Sequence, residues 1–408
     1  MIIKKIYPLI ISVIALAVSL SCTQTTGKAD TETEEGQSLL YIKIEEPDIE
    51  SLKPLFLSEF VKKIDYVQLE TLDQCLLPPY IGTRLTKDFI FVESRRKLYQ
   101  FDKEGKFIRQ IGREGQGPGE YQLQKYDVDD VNNRILVVSY TNITPLLFDY
   151  DGKYLGKVTE SFFTTPFLEH FCVGDGYFIY TVQPMNVNRQ RDIMQSSNEL
   201  IVYDYIGNEV TQILPNRYVC EDNRKTTDFV SIKPSLQIIS KQDSIFYYHS
   251  FYNDTLYTVC KNSIEPYAVI DFGKYKYVTD KDIIEAGVGK MRIVDMYKYQ
   301  DKIFMTVSAS GGVFICIFDI SSKQLTYHSV WIINDIDGNQ NIDISGLKNK
   351  ITLIWNPEEM DKKFKENLYS NLDKSKLKHP EQKEKFQRML KENIEKEDNP
   401  ILMILHGK

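Results

Sequence analysis

The sequence predicts an all-β fold, a six-bladed β-propeller with four-stranded blades. It predicts that N- and C-terminal strands close the ring and that a helical insertion lies near the C-terminus. Three observations support this fold class. The 408 residues include 26 Tyr and 21 Phe, and aromatic side chains favour strands. One hairpin pattern recurs along the chain. Its copies lie roughly 45–60 residues apart, a period typical of propeller blades.

Each hairpin combines a half-buried strand, a tight turn and a second short strand. Apolar residues alternate along the first strand, and Asp or Asn followed by Gly supplies the turn in the clearest copies. A further strand pair precedes each hairpin, which gives about four strands per unit. Residues 40–408 divided among six blades leave about 61 residues each, and seven blades is the alternative. Five copies are visible, centred on Tyr99, Leu146, Ile201, Tyr257 and Cys316, with spacings of 47, 55, 56 and 59 residues.

Ring closure is expected to use both ends of the domain. The strands Ile64–Leu69 and Ile401–Leu405 have no hairpin partner of their own. We expect both to join Ile351–Trp355 in the last blade, because this arrangement removes the free sheet edge.

One segment, at about residues 357–397, departs from the β pattern and predicts two amphipathic helices on either side of Pro380. Its apolar residues recur every four positions, which places them along one helical stripe. We expect this stripe to pack against the propeller; the alternative is a pair of helices that binds a partner. The stripe residues are Phe364, Leu368 and Leu372, then Phe386, Leu390 and Ile394.

The N-terminus has the layout of an export signal. Lys4 and Lys5 precede an apolar run, Ile6–Leu20, which is too short to span a bilayer comfortably. Residues 1–21 resemble the type II signal of bacterial lipoproteins, and this resemblance implies a lipid on Cys22. A signal that is not cleaved, or is cleaved in the ordinary way, is the alternative. Residues 22–39 are polar and read as a flexible tether, and residues 40–408 as the propeller.

Charge and composition exclude several classes of function. The formal net charge is −7, and it becomes −9 when Lys4 and Lys5 are removed with residues 1–21. Such an acidic chain is poorly suited to binding nucleic acid, which requires a basic surface. It also has no polybasic segment to hold an anionic membrane, so a lipid would be the anchor. No two of the five histidines lie within five residues of each other, so no local metal motif exists. We therefore predict no metal and no cofactor.

A glycine-rich connection follows the first hairpin. It contains Gly112, Gly115, Gly117 and Gly119. A phosphate-binding loop would require a following helix and usually a Lys-Ser/Thr pair, whereas Pro118 and a strand-like segment follow here. We interpret the four glycines as structural, in a tight link between two blades.

The same region carries a family resemblance. The run Phe101–Gly112, continued by Gly115–Tyr121, resembles the six-bladed β-propeller lipoproteins of Bacteroidota, which are related to NHL-repeat and TolB-like propellers. The late segment Asp398–Leu402 and the terminal helical insertion are similar to that family as well. The resemblance implies an exported, lipid-anchored propeller. It implies no particular activity, so no catalytic residue is carried over.

The function that these features favour is a non-catalytic binding module in the cell envelope. It would be lipid-anchored in the outer membrane, facing the periplasm or the cell surface, and would bind a glycan, a peptide or an envelope protein. Ligand contacts are expected on loops at the open face of the central channel. The candidate contacts are Arg95, Arg96 and Arg113.

Two alternatives belong to other functional classes. A propeller-type lyase or hydrolase acting on a polysaccharide or peptide would need side chains from several blades to converge on the channel. His170, His249 and His328 come from three different repeats and would have to meet there. A scaffold for an envelope complex would instead use the helical insertion as its contact.

Overall fold

The computed structural model describes residues 39–78, 81–140, 144–158, 168–182, 185–186, 193–194, 198–215, 237–250, 254–276, 289–354, 362, 366 and 368–408. The predicted signal, Cys22 and all but the last residue of the predicted tether lie outside this set. Residues Leu40–Lys408 form one compact unit.

Strands dominate this unit, and the described part contains two complete α-helices, α1 (Ile344–Asn349) and α2 (Pro380–Lys396). In chain order the described strands are β1 Leu40–Lys43, β2 Lys53–Phe56, β3 Val61–Gln68, β4 Gly82–Leu85, β5 Phe89–Ser94, β6 Lys97–Asp102, β7 Phe107–Ile111, β8 Leu123–Asp129, β9 Arg134–Ser139, β10 Leu146–Asp149, β11 Tyr154–Lys157, β12 Leu168–Val173, β13 Tyr177–Val182, β14 Met185–Asn186, β15 Ile193–Met194, β16 Asn198–Asp204, β17 Glu209–Pro215, β18 Gln237–Gln242, β19 Ile245–Ser250, β20 Thr255–Cys260, β21 Ser263–Asp271, β22 Arg292–Tyr299, β23 Lys302–Ala309, β24 Gly312–Asp319, β25 Gln324–Ile333, β26 Ile351–Leu353 and β27 Ile401–Gly407.

The strands form six blades around a centre, which confirms the predicted fold class. Blades 1 to 5 each contain four antiparallel strands: β4–β7, β8–β11, β12–β13–β16–β17, β18–β21 and β22–β25. Blade 6 contains β26, β27 and β3 among the described strands. First strands of neighbouring blades contact each other, as β8 contacts β12, β18 contacts β22 and β26 contacts β4. The first strands therefore surround the central channel.

Closure of the ring by both ends is also confirmed. In blade 6 the central strand β27 pairs with β26 on one side and with β3 on the other. Ile404, for example, lies opposite Ile351 in one ladder and opposite Asp65 in the other.

Two parallel strands at the outer edges of blades were not predicted. β1 pairs in parallel with β21 of blade 4, and β2 pairs in parallel with β25 of blade 5. Ile42 and Leu55, one from each added strand, are only 1% and 2% exposed. The N-terminal segment thus follows the outer edges of blades 4 and 5 before it enters blade 6 as β3.

Helix α2 packs against β3, as the prediction of packing on the propeller required. Phe386 and Leu390 are buried, and the Phe386 ring stacks on Tyr66 of β3 at a centroid distance of 4.0 Å. Asn393 Nδ2 donates a hydrogen bond of 2.9 Å to Gln68 Oε1 of the same strand. Helix α2 therefore packs on the face of blade 6 that β3 and β27 form together, where Met403 and Leu405 belong to the same buried cluster.

The first predicted helix is present but shorter than expected. Lys362, Glu366 and Leu368 are helical, Phe364 falls outside the described residues, and Leu372 lies beyond the helix. Residues from Leu368 to Ser370 pair with the segment that follows β25. Asn341 N–H donates to the Leu368 carbonyl at 2.6 Å, and Ser370 N–H donates to the Asn339 carbonyl at 3.0 Å. These long-range backbone bonds end the helix at Leu368, although the four-residue apolar spacing had suggested helix as far as Leu372.

A buried polar loop after β25 fixes this region. Asn334 Nδ2 donates to Asp337 Oδ1 at 2.7 Å, and the Tyr66 hydroxyl donates to Asp337 Oδ2 at 2.6 Å. Burial and the Asp337 carboxylate raise the pKa of Tyr66 well above its ordinary value. Because the buried carboxylate receives donors from the protein, this acidic loop serves structure, joining blade 5 to β3.

Candidate ligand-binding face

The residues singled out from the sequence meet at one face of blades 1 and 2. We call this the upper face, defined as the end at which β4 and β8 begin. Three connections reach it: the β5–β6 turn with Arg95 and Arg96, the glycine-rich link from β7 to β8, and the end of β9 with Tyr140. Their side chains come from different repeats, so only the fold brings them together.

The β5–β6 turn holds two arginines in an unusual backbone conformation. Arg95 and Arg96 have φ angles of 47° and 64°, both left-handed. Two-residue hairpin turns of this kind normally use Asn-Gly, because a left-handed residue with a side chain costs roughly 1–2 kcal/mol. The Arg96 carbonyl accepts the Leu123 N–H at 3.0 Å, which fixes the turn against blade 2. Strain kept in an exposed turn is a feature of functional sites.

Arg96 lies over an exposed aromatic ring. Its guanidinium carbon is 5.3 Å from the ring centroid of Tyr140, which is 55% exposed. Arg96 Nη1 lies 3.5 Å from Gln122 Oε1, and Gln122 Nε2 donates to Glu114 Oε1 at 3.2 Å. We call Arg96, Gln122, Glu114 and Tyr140 the platform. It offers an aromatic surface beside planar hydrogen-bonding groups.

Arg113 lies in the glycine-rich link and has a partner there. Its Nε donates to Glu120 Oε1 at 2.6 Å, and Gly117 N–H donates to Glu120 Oε2 at 2.9 Å. The Gly117 N–H, followed by the Arg113 guanidinium, holds the pKa of Glu120 below its usual range. Arg113 is therefore engaged in an ion pair inside the link, although its side chain is largely exposed.

The glycines of the link permit close packing of blade 2 on blade 1. Gly112, Gly115 and Gly119 have positive φ angles of 60°, 155° and 74°, whereas Gly117 does not. A Cβ atom on Gly112 would lie 2.6 Å from Cε1 of the buried Tyr121. This geometry supports the structural interpretation of the link.

The wall of the central channel is polar and connects blade to blade. Arg84 Nε of β4 donates to Asp127 Oδ1 of β8 at 3.0 Å. Asp127 Oδ2 accepts the Val173 N–H of β12 at 2.8 Å, and the Val173 carbonyl accepts Lys241 Nζ of β18 at 2.7 Å. Four consecutive blades are joined through these contacts.

The three histidines considered for an enzyme lie in different layers of the blades. His170 is on the first strand of blade 3, and His249 is on the second strand of blade 4, where burial lowers its pKa to about 4. His328 is on the last strand of blade 5 and pairs with Lys53 of β2 at the outer edge. Within the described ranges, no three His, Cys, Asp or Glu residues are arranged to hold a metal ion.

Neither Gln122 nor Tyr140 was predicted as a site residue. Tyr140 directly follows the buried strand β9. An exposed aromatic residue at the end of a strand is the pattern that could have marked it as a ligand contact. The position of Gln122 beside Arg96 depends on the packing of two blades, and no local sequence pattern indicated it.

Among the described residues, no helix combines the length and apolar character needed to cross a membrane.

A solved structure with a TM-score above 0.5 supports the fold. A "Putative exported protein" from Bacteroides fragilis NCTC 9343 is 17% identical, with a TM-score of 0.57 over 90% of this chain and 99% of that one. A member of the DUF4221 family from Bacteroides vulgatus ATCC 8482 is 10% identical, with a TM-score of 0.42 over 65% and 85%. No curated protein matches the sequence. A family model matches residues 40–406, and the chain therefore belongs to the family described as Domain of unknown function (DUF4934).

Proposed function

We propose that this protein is an exported, lipid-anchored binding module that recognises a glycan on its upper face without catalysing a reaction. The observation that carries the proposal is the platform, in which the exposed Tyr140 ring lies under Arg96 and beside Gln122. Sugar rings present apolar faces that stack on aromatic side chains, and their hydroxyl groups pair with amide, guanidinium and carboxylate groups. The platform offers each of these groups.

The proposed attachment rests on the N-terminal sequence. A lipid on Cys22 and the polar tether at residues 22–39 would hold the propeller at the outer membrane, on its periplasmic or outer side. Replacement of Cys22 by Ser should abolish incorporation of radiolabelled palmitate and release the protein into the soluble envelope fraction. Unchanged labelling would contradict lipidation at this residue.

The binding proposal is tested by titrating the protein with a panel of neutral oligosaccharides and following its melting temperature. A ligand that binds only the folded state raises this temperature. We expect a shift with a glycan that is lost in the variants Arg96→Ala and Tyr140→Ala. The control Arg388→Ala removes an exposed arginine from α2, outside the platform, and should leave the shift intact.

Three other outcomes would contradict the proposal. A shift that requires a divalent metal and disappears with EDTA would favour the hydrolase or lyase alternative. A shift with peptides alone would replace the glycan by a peptide ligand. A glycan shift that survives Tyr140→Ala would move the site away from the platform.

A further inference from the structure

A charged recess lies between the first two blades, on the channel side of the platform. Glu93 of β5 lies opposite Gly82 of the innermost strand β4. Gly82 has no side chain, and a Cβ atom there would be 3.1 Å from Glu93 Oε2. The Glu93 carboxylate therefore occupies the space that a side chain at position 82 would fill, against the exposed backbone of Gly82.

Two cations flank this carboxylate. Arg84 lies two residues after Gly82 on β4, and Lys125 lies two residues before Asp127, the partner of Arg84, on β8. The electrostatic attraction of each cation acts to lower the pKa of Glu93. Burial outweighs both, so the pKa of Glu93 is raised. On the remaining side, β6 places the apolar Leu98 opposite Glu93. Arg84 is also paired with Asp127, whose carboxylate is the second negative charge of the recess.

Two of these charged groups lack hydrogen-bond partners. Glu93 and Lys125 are both partly buried, and neither has a hydrogen bond or a close ion pair within the described part of the chain. Arg84 uses Nε for Asp127 and Nη1 for the Thr83 carbonyl, which leaves Nη2 without an acceptor among the described residues. Partly desolvated charges without hydrogen-bond partners cost free energy, and a ligand that supplies partners recovers it.

We propose that this recess binds the carboxylate of a small acidic sugar, with Lys125 and Arg84 holding the carboxylate and Glu93 accepting a hydroxyl of the same ligand. The carboxylate of the ligand would pair with the two cations, and a hydroxyl of the ligand would donate to Glu93. Each group left without a partner in the recess would then have one. This site differs from the platform and does not depend on the proposed glycan binding there.

The charges of the recess predict how binding depends on pH. When Glu93 is ionised, its carboxylate and that of Asp127 balance Arg84 and Lys125. The neighbouring Tyr126, whose pKa burial raises, adds no charge, so the recess is neutral overall. Protonation of Glu93 gives the recess a net positive charge, so a bound carboxylate is held more tightly. Because the pKa of Glu93 is raised, this gain is expected as the pH falls from neutral towards moderately acidic values.

Calorimetric titration of the full-length chain with glucuronate tests the proposal, with glucose as the neutral counterpart. We expect glucuronate to bind and glucose to bind at least tenfold more weakly, with glucuronate affinity higher at pH 5 than at pH 8. Lys125→Met should weaken glucuronate binding at least tenfold. Glu93→Gln should remove most of the pH dependence and raise the affinity at pH 8. Lys62→Met, at an exposed position of β3, is the matched control and should change nothing.

Equal affinity for glucose and glucuronate, or unchanged binding by Lys125→Met, would overturn the proposal. If Lys125→Met fails to fold, Lys125→Gln and the pH dependence of the unmodified protein provide the same test. Tyr140→Ala separates the two sites, because it should abolish glycan binding on the platform and leave glucuronate binding unchanged.

Discussion

Asn399 shows how one side chain can fix a connection between two strands, here a link that contains one short 3-10 helix, Asp73–Cys75. Its Nδ2 donates to the carbonyls of Glu70 and Cys75 at 2.7 and 2.9 Å, and its Oδ1 accepts the Leu77 N–H at 2.8 Å. The residue is 2% exposed. Asn399 belongs to the late motif that carried part of the family resemblance, and the structure gives that motif a physical role.

Replacement of Asn399 by Ala is expected to destabilise the protein by about 3 kcal/mol or more. The change leaves the Cys75 carbonyl and the Leu77 N–H without partners, and the Glu70 carbonyl keeps only the weak Cys75 thiol donor. Each unsatisfied buried group costs roughly 1–3 kcal/mol. Urea denaturation measures the effect. The exposed Asn262→Ala serves as the control and should stay within about 0.5 kcal/mol of the unmodified protein. A similar small change for Asn399→Ala would contradict the assigned role.

His249 is expected to make stability depend on pH. Burial lowers its pKa from 6.5 to about 4 in the folded protein. Between these values the unfolded chain binds the proton and the folded protein does not, so the free energy of unfolding falls as the pH is lowered. The loss is at most about 3 kcal/mol by pH 4 and is absent above pH 7. Denaturation of His249→Leu at several pH values should show a shallower decline, and an equal decline would contradict the argument.

At the scale of elements, the strands and helices that are specified by nearby residues could be predicted from the sequence. The hairpins around Tyr99, Leu146 and Ile201 carry their own turns, so strand pairing could be read from the chain directly. Helix α2 begins at Pro380, and its apolar residues recur with helical spacing. The parallel strands β1 and β2 have no turn linking them to their partners, β21 and β25. Their pairing depends on the assembled ring and could not be predicted from sequence spacing.

The same reasoning applies to the candidate site. Arg96 was selected because it lies in a polar turn, and the structure places it over Tyr140. Arg113 was selected for the same reason, but Glu120 engages it within its own link. Local sequence shows which loops contain cations. Only the packing of blades 1 and 2 determines which cation has a partner inside the protein.

Strand β1 is expected to stabilise blade 4 through Ile42. This side chain is 1% exposed and belongs to the core between blades 4 and 5. Ile42→Ala should cost about 2–5 kcal/mol, because it removes buried methyl groups and leaves a cavity. The adjacent Lys43→Ala, on the exposed face of the same strand, should cost far less. Equal losses in urea denaturation would show that β1 contributes through its backbone pairing alone.

At the scale of the whole molecule, the N-terminal segment covers the outer edges of two neighbouring blades, and α2 packs on the blade that follows them. β1 lies on blade 4, β2 on blade 5 and α2 against blade 6. Exposed strand edges invite pairing with other chains, and covering them limits association. Blades 1, 2 and 3 end in β7, β11 and β17, which have no further strand partner among the described residues. The protein is thus asymmetric around its ring, and the platform lies on the less covered half.

The closure of blade 6 has a consequence for how the protein is made. β3 lies among the first described residues and β27 among the last, yet Ile64 and Leu405 are neighbours in one ladder. During synthesis, more than 300 residues are added after β3 before its partner strand β27 is made. Contacts between such distant residues slow folding, since a long loop must close before they form. A chain that stops before Ile401 lacks β27, so β26 and β3 have no common partner and the ring stays open.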